Sequence, residues 1–72
     1  MPDETILCTA DRRRIWAALS EGHMIYIKED ERVIDKETGD DLGCMIAALE
    51  LQYYGLADWC GSWTMERNPD AR

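Results

Sequence analysis

The stretch at residues 41–55 constrains this chain more than any other. Between Asp41 and Gly55 lie thirteen residues with only two strongly polar side chains, Glu50 and Gln52. Such a run is longer than an average strand of about 5–6 residues, and its periodicity predicts a central helix. Asp40 or Asp41 would cap its N-terminus and Gly55 would close it. Leu42, Met45, Ile46, Leu49 and Tyr53 fall on one face at spacings of three and four, while Cys44, Ala47, Ala48, Leu51 and Tyr54 cover much of the rest. A helix apolar on so many sides has to be covered, either by the rest of the chain or by a second chain.

The flanking sequence supplies that cover. Residues 5–8 (Thr5, Ile6, Leu7, Cys8) are compatible with a short first strand. A first amphipathic helix is expected from Thr9 or Asp11 to about Glu21, with Ile15, Trp16, Ala18 and Leu19 inward and Gly22 as its stop. Residues 23–28 alternate, Ile25 and Ile27 opposing Met24 and Tyr26, and read as a strand. A polar turn at Glu29, Asp30 and Glu31 leads to a second strand at residues 32–35, the pair forming a hairpin. Residues 36–39 turn the chain into the central helix. After Gly55, Trp59, Gly61, Trp63 and Met65 occupy alternate positions of a last strand, where Gly61 marks a bulge or a close backbone approach. The expected fold is a small α+β domain spanning residues 1–72, with loose ends at 1–4 and 68–72. Two helices pack on a short antiparallel sheet of three to four strands, in the order β-α-β-β-α-β of the split βαβ pattern.

A domain of 72 residues buries only about 60% of its unfolded surface, so added stability from a partner or a second copy would be useful. No apolar run approaches the ~20 residues that span a bilayer, and Met1-Pro2-Asp3-Glu4 is acidic where a secretory signal is basic. The expected location is the cytoplasm. Three cysteines, at 8, 44 and 60, then read as reduced thiols, Cys44 and Cys60 as small buried hydrophobes. A zinc site joining them to His23 lacks the close ligand pairs that one tight turn provides, and no cofactor is expected.

Charge carries the functional reading. Fifteen acids against eight bases leave a net charge of −7, which repels phosphate backbones and anionic membranes and disfavours direct nucleic-acid binding. Between residues 29 and 41 lie seven carboxylates (Glu29, Asp30, Glu31, Asp35, Glu37, Asp40, Asp41) and two bases (Arg32, Lys36), so five of the seven excess charges fall in this segment. The bland explanation is a solvated hairpin edge that maintains solubility. The sharper one is a negative surface that docks on a basic groove of another protein, since concentrated charge of one sign raises the on-rate and orients the encounter. A calcium loop is a poor fit, because Asp35, Glu37, Gly39 and Asp41 lack the regular oxygen ligands and closing glutamate of that motif.

Other motifs favour plain roles. Trp16, Tyr26, Tyr53, Tyr54, Trp59 and Trp63 read first as core, with interface hot spots as the second reading. Arg12, Arg13 and Arg14 read as a helix face pairing with acids such as Asp11 and Glu21, or as an anchor for an acidic partner. The single histidine, His23, stands at a strand boundary, although a Cys8–His23 pair is conceivable. The glycines at 22, 39, 43, 55 and 61 are scattered and form no phosphate loop. The expectation is a protein without catalytic activity.

In size, acidity and the run from residue 29 to 41, the chain resembles, as a class, the small inhibitors carried by phages and mobile elements, including anti-CRISPR proteins that imitate the charge of DNA. That resemblance implies a basic, nucleic-acid-handling protein or nucleoprotein complex as partner, met in the host cytoplasm and inhibited by occupation of its channel through the seven carboxylates. Two other classes remain open. One is a structural or regulatory homodimer formed through the central helix or the Trp59/Trp63 face. The other is a redox or metal enzyme using Cys8, His23, Cys44 or Cys60.

Overall fold

A computed structural model describes residues 9–70. The first strand expected at residues 5–8 lies outside the described residues. The order is α1 (Ala10–Ser20), β1 (Ile25–Ile27), β2 (Arg32–Asp35), β3 (Asp41–Cys44), α2 (Met45–Tyr53), β4 (Ala57–Gly61) and β5 (Thr64–Arg67). All five strands form one antiparallel sheet in the order β3-β2-β1-β5-β4. The expected class, two helices with an antiparallel sheet, is therefore present, with five strands instead of three or four. The split βαβ order is not observed among the described residues, since three strands instead of two separate the helices and two instead of one follow α2.

α1 forms as its sequence dictates. The Thr9 hydroxyl accepts from the Arg12 amide at 3.2 Å, and Ile15, Trp16, Ala18 and Leu19 are all buried. Both helices end in the same way. The His23 amide returns to the Ala18 carbonyl and the Gly22 amide to Leu19, while Leu56 returns to Leu51 and Gly55 to Gln52. These paired bonds satisfy carbonyls that the last helical turn leaves over.

The expected central helix is corrected in its first half. Residues 41–44 are a strand, and α2 starts only at Met45. Three side chains from other elements hold this segment, two through its backbone and one through the Asp41 carboxylate. The Asp11 carboxylate accepts from the Cys44 amide at 3.1 Å, the Arg14 guanidinium donates to the Leu42 carbonyl at 3.2 Å, and Arg32 binds Asp41 through two bonds of 3.0 and 2.8 Å. Gly43, at φ 141°, admits the Asp11 side chain so closely that a Cβ there would lie 2.5 Å from its Cγ. An apolar, helix-compatible run thus becomes an edge strand because tertiary partners outbid local propensity. The late start also turns the helix. Its buried residues are Ala47, Ala48 and Leu51, whereas Ile46 is 64% and Tyr53 85% exposed.

Ile25, Ile27, Val33, Leu42, Ala57 and Met65 from the strands meet Ile15, Trp16, Leu19, Ala48 and Leu51 from the helices in one core. Cross-strand partners share a face, so Tyr26, Ile34 and Thr64, paired in register, form the row on the opposite face. The single last strand is also corrected. Residues 57–67 form a hairpin whose register shifts between Trp59 and Gly61, where a bulge was expected, and Trp63 sits in the turn at φ 56°. Met65 is fully buried opposite Trp59. At the expected C-terminal loose end, the Asn68 amide still donates to the Leu56 carbonyl at 3.0 Å. Among the described residues no helix is long and apolar enough to cross a membrane.

Candidate functional site

The seven carboxylates of the acidic run do not gather into one surface. Glu29, Asp30 and Glu31 form the β1–β2 turn, all exposed. Glu37 and Asp40 are exposed in the β2–β3 turn, at the other end of β2, on the order of 13 Å away at ~3.3 Å per residue. That separation exceeds the ~8 Å screening length at physiological salt, so the two ends act on a partner separately.

The remaining two carboxylates are already engaged. Asp35 is buried, its carboxylate 2.9 Å from the Nδ1 of His23 and accepting the Glu37 amide at 2.8 Å. Burial acts to raise its pKa, but the His23 and amide hydrogen bonds outweigh that and hold it below the usual carboxylate range. Asp41 forms the bidentate pair with Arg32, which lowers its pKa in turn. Asp35 therefore anchors the second turn from inside, and Asp41 ties β3 to β2.

Beside the first acidic turn the fold builds a concavity of about 390 Å³, lined by Ile27, Lys28, Glu29, Glu31, Met45 and Trp63. Three elements meet there. The Lys28 carbonyl accepts from the Glu31 amide at 3.0 Å, and the Lys28 amide donates to the Arg32 carbonyl at 2.9 Å, closing a three-residue hairpin loop. The Met45 amide at the start of α2 donates to the Glu31 carbonyl at 2.8 Å, and the Ile27 amide donates to the Trp63 carbonyl at 2.8 Å. Backbone bonds thus fix all three walls.

Glu31 (φ 66°) and Trp63 (φ 56°) are the two non-glycine residues with positive φ among the described residues. Both line this concavity. A left-handed conformation disfavours any residue with a Cβ, and a three-residue hairpin loop ordinarily places glycine there. Trp63 is 63% exposed and meets Trp59 edge-on at 6.4 Å. Strain of this kind concentrates at functional positions.

The aromatic set is corrected as well. Only Trp16 is in the core, while Tyr26, Tyr53, Tyr54, Trp59 and Trp63 are exposed. Arg12 is buried and reaches across to Glu50 on α2 at 3.2 and 2.5 Å, and its guanidinium lies 5.8 Å from the Tyr54 ring. Arg14 pairs with Asp11, as one reading expected, whereas Glu21 faces His23 at 3.8 Å.

The groups with reactive potential are dispersed. His23 pairs with Asp35 at 2.9 Å and with Glu21 at 3.8 Å, and the nearby Ser20 hydroxyl donates to the Trp16 carbonyl at 2.7 Å. Cys44 is half-buried, and Cys60, expected to be buried, is exposed on the edge strand β4. Cys8 lies outside the described residues. Among the described residues no three His, Cys, Asp or Glu side chains are grouped to hold a metal ion.

No protein-family model, curated protein or solved structure matches this chain.

Two site features escaped the sequence reading. The alternation of residues 59–65 places Trp63 in a strand, although Gly61-Ser62 ahead of it is a turn signal. The helical spacing places Met45 on the core face of the central helix, and only the tertiary start of α2 brings it into the lining of the concavity.

Proposed function

We propose that this protein is a non-catalytic binding protein that presents the β1–β2 turn and the adjoining concavity to a basic surface of a partner. The observation that carries this reading is the convergence of the two left-handed non-glycine residues, Glu31 and Trp63, on one concavity beside Glu29 and Asp30. An exposed indole amid carboxylates combines an aromatic anchor with long-range attraction for cations. If the basic surface is one that normally holds nucleic acid, occupation makes the protein an inhibitor, the role that its likeness to small phage-borne inhibitors implies. Glu29, Asp30 and Glu31 form the primary contact, with Glu37 and Asp40 as a separate, secondary one. Asp35 is buried against His23 and Asp41 is engaged by Arg32, so neither is part of the contact.

The test is capture from source-cell lysate by tagged wild-type protein and by the variant Glu29→Lys/Asp30→Lys/Glu31→Lys, at low and at high salt. A basic protein retained by the wild type at low salt, released at high salt and missed by the folded variant supports the reading. Equal capture by both proteins overturns it.

One observation favours a second reading, a homodimer through α2. Ile46 and Tyr53, seven residues apart on one helix face, are both exposed with half-buried Glu50 between them. A dimer mass in solution that Ile46→Asp converts to a monomer without unfolding would support it.

A further inference from the structure

We propose that the concavity between the β1–β2 turn, the start of α2 and the β4–β5 turn is a binding site for an arginine side chain, its guanidinium stacked on Trp63 and paired with Glu29 and Glu31. The proposal rests on the docking reading above and names the partner's chemistry at one subsite.

The lining is amphipathic in the way an arginine is. Ile27, 5% exposed, and half-buried Met45 provide an apolar floor for the aliphatic stem. Trp63 provides an indole face, the strongest side-chain partner for a cation within about 6 Å. Glu29 and Glu31 provide carboxylates at the rim, and among the described residues neither has an ion-pair partner. The one cation in the lining, Lys28, lies 3.6 Å from Asp30, which largely offsets its charge. The first amide of α2 would also repel a cation, but the Glu31 carbonyl occupies it at 2.8 Å.

Geometry favours arginine over lysine. A guanidinium is planar, weakly hydrated and forked, so it stacks on a ring and binds carboxylates at the same time, whereas an ammonium is compact and gives up more hydration on entering an apolar floor. The site is also assembled in advance. The Ile27 amide holds the Trp63 carbonyl at 2.8 Å, which fixes the backbone that carries the indole, and the Trp59 ring meets that indole edge-on at 6.4 Å.

The test is a titration of the whole protein, followed by the indole N–H resonances of its three tryptophans. The probes are acetyl-Gly-Arg-Gly-amide, the lysine counterpart and the neutral isostere with citrulline. The expected result is a saturating shift of the Trp63 resonance, with Trp16 unmoved. Arginine should bind about fivefold more tightly than lysine, and citrulline should not saturate. Trp63→Ala and, independently, Glu29→Gln/Glu31→Gln should each weaken the arginine probe by about tenfold. Equal affinity for arginine and citrulline, or undiminished binding in both variants, would overturn the proposal.

Partner capture lost in the triple lysine variant but kept in Trp63→Ala would reject the arginine site and leave the docking surface standing. Selective arginine-probe binding without any salt-sensitive capture would support the site and reject the docking reading.

Discussion

Gly43→Ala is expected to be among the most damaging single-methyl changes available to this chain. Its Cβ would stand 2.5 Å from Asp11 Cγ and 2.7 Å from both Asp11 Cβ and Oδ2, at a backbone φ of 141°. Overpacking of this kind costs about 1–3 kcal/mol and an unfavourable positive-φ conformation about 1–3 kcal/mol, while alanine's smaller unfolded-state entropy returns about 0.4–1 kcal/mol. The net loss is about 2–4 kcal/mol, against a total stability for 72 residues of roughly 4–11 kcal/mol. With a urea m-value near 1 kcal/mol/M, the unfolding midpoint should fall by about 2 M or more at unchanged slope. Asp11 would have to swing away, releasing the Cys44 amide and the Arg14 guanidinium that it now binds. The same substitution in an Asp11→Ala background should therefore cost less, because the Cγ and Oδ2 contacts are gone, and the two changes together should cost less than their sum. A Gly43→Ala protein within about 0.5 kcal/mol of wild type, or strict additivity with Asp11→Ala, would refute the account of why residues 41–44 are a strand.

Glu31→Gly should raise stability by about 0.5–1 kcal/mol in denaturant unfolding by relieving its left-handed backbone, while weakening partner binding, the trade-off expected of strain kept for function. The His23 pKa is raised above its ordinary 6.5, chiefly by the hydrogen bond that its Nδ1–H donates to Asp35, with Glu21 and Glu37 adding to the effect against some burial. The folded state therefore holds the proton more tightly than the unfolded chain, so this stabilisation is complete below 6.5 and is lost as pH rises through the folded pKa. Thermal melting across that window should show the midpoint falling, and His23→Gln should flatten the slope; a midpoint rising with pH would contradict the pairing. Asp35 titrates in the opposite sense, its contribution vanishing as pH drops through a pKa below 3.8. Glu50→Ala should cost about 1–2 kcal/mol in urea unfolding, less than a fully buried pair would, because Glu50 is 41% exposed while Arg12 is buried.

Local signals were legible where the element that uses them is local. α1 follows from Thr9, the inward spacing of Ile15, Trp16, Ala18 and Leu19, and Gly22. The β1–β2 hairpin follows from the alternation at residues 24–27 and its acidic turn. The central stretch misled because an apolar run is ambiguous between helix and strand until its partners are known. Asp11 and Arg14 sit about thirty positions away from the residues they redirect, and no periodicity at residues 41–44 announces them. The acidic run misled in a different way. Sequence proximity placed seven carboxylates together, but β2 carries them to opposite ends, and only contact geometry shows that Asp35 belongs to His23 and Asp41 to Arg32. The cues to the concavity are a glutamate at the loop position that usually takes glycine and the Gly61-Ser62 turn signal ahead of Trp63.

The proposed function stands on docking of the β1–β2 turn to a basic partner. Its most direct measurement is the affinity of the captured partner for wild-type protein and for Glu29→Lys/Asp30→Lys/Glu31→Lys, each followed from low to high salt. The account predicts tight wild-type binding that weakens steadily as salt rises, together with variant binding that is weak and nearly independent of salt. Equal affinities with parallel salt dependence would contradict it.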